Sequence, residues 1–181
     1  MALQNADELA VVLDRADHLG PVFARHAYGM RAWVDLFSAH VAGLPEPADK
    51  ALLATLVAVN ARHMLLFRER AAANGTDPDA YVCPAEGEAI YARIPALAGA
   101  AELAGYALGS LDHFAELLAV YRAAADGADA EAIDTVRADV DRARAQLRER
   151  VGDAAGAALA EAHELYRVRE LAEVPRYAHA A

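Results

Sequence analysis

The sequence predicts a single all-α domain arranged as a four-helix bundle. Between the glycine and proline breakers, apolar residues recur at intervals of three and four, which is the period of a helix. No segment alternates in the way that a half-buried strand does. The breakers leave a short, a long and a short connection, so we expect a hairpin, a lengthwise crossover and a second hairpin.

A chain of 181 residues is long enough for one sizeable core. We assign residues 1–181 to one domain, with the core bundle over 21–151 and a helical extension over 153–174. The first predicted helix covers 7–42. Gly20 and Pro21 lie within it, and we expect a kink or split there because proline removes a backbone donor and clashes with the preceding turn.

The first two helices each carry an inward stripe. The second half of the first helix should bury Phe23, His26, Met30, Trp33, Phe37 and Val41. The second helix begins at Pro47 and ends before Gly75, since proline favours a first turn and glycine a C-terminal cap. Its stripe comprises Leu52, Leu56, Asn60, His63 and Phe67.

The long connection covers 75–95, and we expect short helical turns in it near 77–81 and 85–92. The third helix covers about 95–125. The fourth begins after Gly127 and is extended, because Gly152 and Gly156 weaken it before helix resumes over 157–173. Its stripe comprises Ile133, Val136, Val140, Ala143, Leu147 and Val151.

Charge and composition exclude several classes of function. The net charge is −10, and the arginine-rich segment 142–150 follows Asp139 and Asp141, so we expect no nucleic-acid partner. The first residues have no basic stretch followed by an apolar one, and the longest apolar run, 51–59, is too short to cross a bilayer. We therefore expect a cytoplasmic protein without a membrane partner. Cys83 is the only cysteine, so an intramolecular disulfide is impossible.

Two histidines fall at the same depth of the predicted bundle. At roughly 1.5 Å per residue, His63 lies about 27 Å and His26 about 28 Å from the turn near Pro45. Asp112 on the third helix and Arg144 on the fourth reach nearly the same level. We expect His26, Asn60, His63 and Asp112 to form one interior layer, with Arg144 nearby. The other predicted pocket-lining residues are Asn60, Met30, Trp33, Phe67 and Arg144.

The interior layer permits two interpretations. Two imidazoles and a carboxylate could bind a single Fe, Mn or Zn ion through His63, His26 and Asp112. The same groups could instead form a metal-free network, since buried polar groups need hydrogen-bond partners that Asn60 and Arg144 could supply. The metal-free network is the favoured interpretation.

The segment Asn60-Ala-Arg-His63, together with the order of the connections, resembles the ferritin-like superfamily over residues 20–151. Its di-iron members carry Glu-x-x-His at this place. Here His63 is kept, Asn60 replaces the glutamate, and the fourth helix has no second copy. The resemblance implies a degenerate interior metal site in a metal-dependent oxidoreductase or a relative that binds a small molecule. The alternative is a metal-free bundle acting as a dimeric interaction or structural module.

Three further expectations concern the surface. Ferritin-like bundles often pair side by side, and Tyr28, Leu36 and Tyr106 fall near the edges of the buried stripes, so we expect a homodimer. His113 should point outward with Glu102 and Glu116. Cys83 could act as a nucleophile only beside a base or a helix N-terminus, and a packing role is favoured.

Overall fold

The computed structural model describes residues 6–13, 19–152 and 155–178. These residues form seven α-helices and one short 3-10 turn, Ile94–Ala96, and contain no strand. The all-α prediction is thus confirmed for the described part of the chain. The helices are α1 (Ala6–Leu13), α2 (Leu19–Val41), α3 (Pro47–Ala73), α4 (Ala85–Arg93), α5 (Gly99–Ala124), α6 (Gly127–Arg148) and α7 (Gly156–Ala178).

Helix α3 lies between α2 and α6. A short connection joins it to α2, and side-chain contacts join it to α6. His63 contacts Asp139 at 3.1 Å, and Arg70 contacts Asp129 at 2.6 Å. Residue numbers rise along one helix as they fall along the other, so α3 and α6 are antiparallel.

Helices α5 and α6 form a second antiparallel pair, joined by the two residues between Ala124 and Gly127. Arg122 contacts Asp134 near the connection, and Asp112 contacts Arg144 farther along. Since α3 and α5 are both antiparallel to α6, they run in the same direction. The connection between α3 and α5 therefore returns along the length of the molecule.

The sequence predicts a kink or a split at Gly20 and Pro21, and the structure has two helices here in place of one kinked helix. Gly20 and Pro21 lie in the first turn of α2, while α1 is a separate helix that packs on α5 and α7. A proline in a first turn breaks no helical hydrogen bond, because the backbone donors there have no partner within the helix. Proline therefore marks a helix start here and not a kink.

The long connection contains α4, which confirms the helical turn predicted at 85–92. No helix forms at 77–81, where the chain makes only a turn. Pro95 lies in the 3-10 turn, and α5 begins four residues later at Gly99. Gly99 has a φ of 75°, a backbone conformation that glycine adopts without steric cost.

The helix predicted over 157–173 is present, but it does not extend the fourth helix of the bundle as expected. Helix α6 ends at Arg148, and α7 is a separate helix that packs on α5 and α4. Gly105 and Gly109 make this packing possible. A Cβ on Gly105 would lie 2.4 Å from the Ala155 carbonyl oxygen, and one on Gly109 would lie 2.7 Å from the Cβ of Ala162.

The predicted inward stripes largely form the core. Helix α2 buries all of its stripe except the half-buried Val41. On α3, Leu56, His63 and Phe67 are buried, whereas Leu52 and Asn60 are half-buried. The α6 stripe is buried from Ile133 to Leu147. Aromatic contacts reinforce the α2–α3 pair, as in the edge contact between Phe23 and Phe67 at 5.0 Å.

One helix among the described residues, Pro47–Ala73, is long and apolar enough by composition to cross a membrane. Only 22% of its most apolar window is buried. The helix has 27 residues, three times the length of the apolar run 51–59. Alanines and isolated leucines continue the apolar character beyond that run. One helix of this kind is weak evidence for insertion, and the absence of a membrane partner stays a prediction.

Candidate functional site

A small cavity of about 50 Å³ lies inside the molecule, among α2, α3, α4, α5 and α7. Its wall combines apolar side chains with buried polar ones, and we refer to it as the polar cavity. The lining residues are Arg25, His26, Gly29, Met30, Trp33, Asn60, Tyr91, Ser110, Leu111, His113, Phe114, Leu117, Tyr166 and Arg169. Ligand sites commonly show this combination of apolar wall and few polar groups.

Two glutamates of α7 surround Arg25 of α2 beside this cavity. Arg25 makes two contacts with the Glu170 carboxylate, one of them from Nη1 at 3.2 Å, and its Nε lies 2.5 Å from Glu173. All three side chains are at most 3% exposed. A buried charge is costly unless it is paired, so these contacts tie α2 firmly to α7.

Arg169 completes the buried charge network, which we define as Arg25, Arg169, Glu170 and Glu173. Its Nε lies 3.1 Å from Glu173, and its other nitrogens donate to the Tyr81 and Tyr91 hydroxyls at 3.2 and 3.3 Å. The network holds two cations and two carboxylates, so its formal charge is zero. Such a balance is what allows four ionisable groups to remain buried.

His113 of α5 joins the network to the cavity. Its Nε2 lies 3.2 Å from a Glu170 oxygen, whereas its Nδ1 is buried and has no hydrogen-bond partner among the described residues. The side chain is 2% exposed and stands beside the Tyr166 ring. An unsatisfied buried polar atom costs about 1–3 kcal/mol, so this nitrogen is a place where a ligand can contribute.

The neighbours of His113 determine which of its nitrogens carries the proton. Burial alone would raise the pKa of Glu170, but Arg25 and His113 hold it well below its usual range, so the carboxylate is ionised and can only accept. Nε2 of His113 therefore carries a proton and donates it. In the neutral ring Nδ1 is then an acceptor, fixed in orientation by Glu170.

His26 adds no positive charge to the cavity. Burial, Arg25 and Arg169 lower the pKa of His26 well below its ordinary value, and so it is neutral at pH 7. Its Nε2 lies 2.8 Å from the Tyr121 hydroxyl, and its ring stands against Phe114. His26 is thus an interior hydrogen-bonded residue, as the helical phase predicted.

The three predicted metal ligands each bond a different partner. His26 bonds Tyr121, His63 bonds Asp139 at 3.1 Å, and Asp112 accepts from Arg144 at 2.7 Å. Within the described ranges, no group of three His, Cys, Asp or Glu side chains could hold a metal ion. In the described contacts these three side chains bond other residues and not one another, and both the single layer and metal binding by His63, His26 and Asp112 stay predictions.

The predicted pocket residues divide into two groups. Met30, Trp33 and Asn60 line the polar cavity. Phe67 and Arg144 do not. Phe67 packs on Phe23, and Arg144 bonds Asp112 and Asp141 between α5 and α6.

Two of the surface expectations are wrong. His113, expected to point outward, is almost fully buried, and Tyr106, expected at a dimer edge, is completely buried with its hydroxyl donating to the Ile90 carbonyl at 2.8 Å. The cause is shared, because α7 packs on a face of α5 that a four-helix bundle would leave exposed. Helix α4 adds a contact there through the Ile90 carbonyl. Burial raises the pKa of Cys83 to about 11, so this thiol is a poor nucleophile at neutral pH.

The sequence reasoning missed the residues of the buried charge network. One signal was available, since Arg169 and Glu173 are four residues apart with Glu170 between them on an amphipathic helix. Comparison of the chain with protein-family models, curated proteins and solved structures finds no match.

Proposed function

We propose that this protein binds one small, neutral molecule in the polar cavity, and that the ligand donates a hydrogen bond to Nδ1 of His113. Two observations carry the proposal: this buried nitrogen has no partner among the described residues, and His113 is one of the residues that line the cavity. Glu170 orients the imidazole through Nε2. The site is therefore organised before the ligand arrives, which lowers the cost of binding.

The lining favours an uncharged ligand with a small apolar part. The carboxylates of the buried charge network already balance Arg25 and Arg169, so a charged ligand would bury an excess charge. Ser110 Oγ donates to the Tyr106 carbonyl and can accept a further bond. Met30 and Trp33 supply apolar wall. An alcohol or a primary amide meets these requirements.

The volume limits both the size and the affinity of the ligand. A water-sized occupant needs roughly 10–15 Å³ of such a volume, so about 50 Å³ leaves room for about four heavy atoms without rearrangement. Very small ligands gain at most about −1.5 kcal/mol per heavy atom, which gives about −6 kcal/mol and a Kd no tighter than about 40 µM.

Acetamide and acetone provide a matched pair of probes, because they have the same shape and differ in the amide donor. We expect acetamide to bind with a Kd in the micromolar to millimolar range, and acetone to bind about tenfold more weakly. NMR titration of the labelled protein measures both. Equal affinities, or no saturable shift with acetamide, would contradict the proposal.

His113→Phe keeps a ring and removes Nδ1, so it should abolish the preference for acetamide. His163→Phe is the matched control, since His163 lies on α7 and does not line the cavity. Elemental analysis of protein purified without chelators separates the proposal from a metal-dependent oxidoreductase. Stoichiometric Fe, Mn or Zn would favour the metal-dependent alternative.

For the architecture we propose the ferritin-like order, with α2, α3, α5 and α6 as the four principal helices. The support is the shared direction of α3 and α5 together with the antiparallel pairs on either side. Helix α7 would be an addition to that order, and it supplies Arg169, Glu170 and Glu173. An experimental structure in which α3 and α5 run antiparallel would overturn this proposal.

A further inference from the structure

A second, larger cavity lies at the end of the molecule where the α2–α3 connection meets the first half of α5 and the end of α6. Its volume is about 210 Å³. Leucine and alanine side chains form most of its wall, and we call it the apolar cavity. Its lining residues are Leu44, Asp49, Leu52, Leu53, Leu56, Ala100, Ala101, Leu103, Ala104, Ala107, Leu147 and Arg150.

The rim of this cavity contains its two charged residues. Arg150 Nη1 lies 3.0 Å from an Asp49 oxygen, so each charge already has a partner. Arg150 is 44% and Asp49 24% exposed, whereas Leu53, Leu56 and Leu103 deeper in the wall are buried. A ligand therefore contacts an apolar interior. The ion pair at the rim has no net charge, so it offers little attraction to a charged ligand.

The cavity is partly open to solvent, and water is a poor occupant of its deeper part, where buried leucines form the wall. A buried water needs two to four polar partners, and the leucines and alanines offer none. An unfilled cavity leaves its lining atoms without dispersion contacts on one side. Both effects favour an apolar molecule as the occupant.

We infer that the apolar cavity is a binding site for an uncharged molecule built on a single aromatic ring. An apolar cavity of roughly 150 Å³ accommodates benzene, so about 210 Å³ has room for a ring with one or two small substituents. The two cavities share no lining residue. This inference therefore does not rest on the proposed function, and either can fail alone.

Toluene and benzoate test the chemical class, since the second adds a carboxylate to nearly the same ring. We expect saturable binding of toluene by NMR titration, with benzoate at least tenfold weaker. Intermolecular NOEs should connect the toluene protons to methyl groups of Leu53, Leu103 and Leu147. The absence of saturation with toluene, tighter binding of benzoate, or NOEs to other methyl groups would each overturn the inference.

A filling substitution gives an independent test. Ala104→Phe places a ring in the cavity and should weaken toluene binding more than tenfold. Ala119→Phe, at an exposed position of the same helix, should leave it unchanged. If Ala104→Phe does not fold, Ala104→Met fills part of the space and should weaken binding at least threefold. Unchanged affinity in a folded filling variant would contradict the assignment of the site.

Discussion

His113 illustrates how one side chain can serve both the structure and a ligand. One of its nitrogens bonds the buried Glu170, and the other has no partner among the described residues. A buried histidine that served only stability would gain from a partner at both nitrogens. The free position beside a cavity is the reason for assigning the site here and not at His63, whose ring lies between α3 and α6 and bonds Asp139.

The shifted pKa of His26 makes the free energy of unfolding depend on pH in a known direction. Burial, Arg25 and Arg169 lower its folded pKa below the unfolded value of 6.5, although the Glu170 carboxylate opposes this shift. The unfolded state therefore binds more protons below pH 6.5. The stabilisation is complete above pH 6.5 and is lost as the pH falls, at about 1.4 kcal/mol per pH unit for one such histidine.

Denaturant unfolding of the wild type and of His26→Gln at pH 7.5 and 5.5 measures this effect. Glutamine can still bond Tyr121 but does not titrate. We expect the variant to lose about 1 kcal/mol less than the wild type between these two pH values. His63 and His163 also have lowered pKa values and leave a residual slope. Identical slopes for the two proteins would show that His26 is not the buried neutral group described.

Helix α7 determines what the site contains, because it carries three of the four members of the buried charge network. Its close approach to α5 depends on Gly105 and Gly109. A side chain on Gly109 would meet the Leu159 carbonyl oxygen at 2.8 Å as well as Ala162, and neither can move without shifting α7.

Gly109→Val should therefore destabilise the fold by about 1–3 kcal/mol, the usual cost of overpacking. Valine at an exposed position of α5, as in Ala119→Val, should cost less than about 0.7 kcal/mol, because only the difference in helix propensity between the two residues acts there. Chemical denaturation of both variants provides the comparison. A Gly109→Val protein as stable as the control would mean that α5 and α7 are not packed as closely as described.

The positions of the helices could be predicted from the sequence more fully than the way in which the helices pack. Helical period and breakers located α2, α3, α4 and α6 to within a few residues, because local propensity and capping act over short distances. The same signals predicted helix over 157–173, where α7 forms, but they wrongly predicted that this helix continues the preceding one. Whether a weak point such as Gly152 bends a helix or ends it depends on long-range packing, in this case on the glycine surface of α5.

The same distinction applies to the site. Inward positions on one helix follow from its phase, and Met30, Trp33 and Asn60, which the sequence places inward, line the polar cavity. His113 was misplaced, because a helix packed on two sides has no free face and phase alone cannot reveal a second partner. Counting residues along the helices predicted that His26 and His63 lie at the same depth. It could not predict that the two side chains bond different neighbours.

At the scale of the whole molecule, the homodimer stays a prediction. With Tyr106 buried, Leu36 and the half-buried Tyr28 remain from the predicted edge, and Tyr28 bonds Glu88 of α4 at 2.5 Å. We expect light scattering at micromolar concentration to give twice the mass of one chain. A monomeric mass at that concentration would remove the dimeric interaction module as an alternative function.

The proposed function requires Nδ1 of His113 to be an oriented acceptor without a partner inside the molecule. Ring ¹⁵N spectra of histidine-labelled protein at pH 7.5 test it most directly, with His113→Phe used to assign the signals. We expect a His113 ring protonated at Nε2 and not at Nδ1, with an Nδ1 resonance that shifts on addition of acetamide and not of acetone. A proton on Nδ1 of the free protein, or an Nδ1 resonance that both compounds leave unchanged, would contradict it.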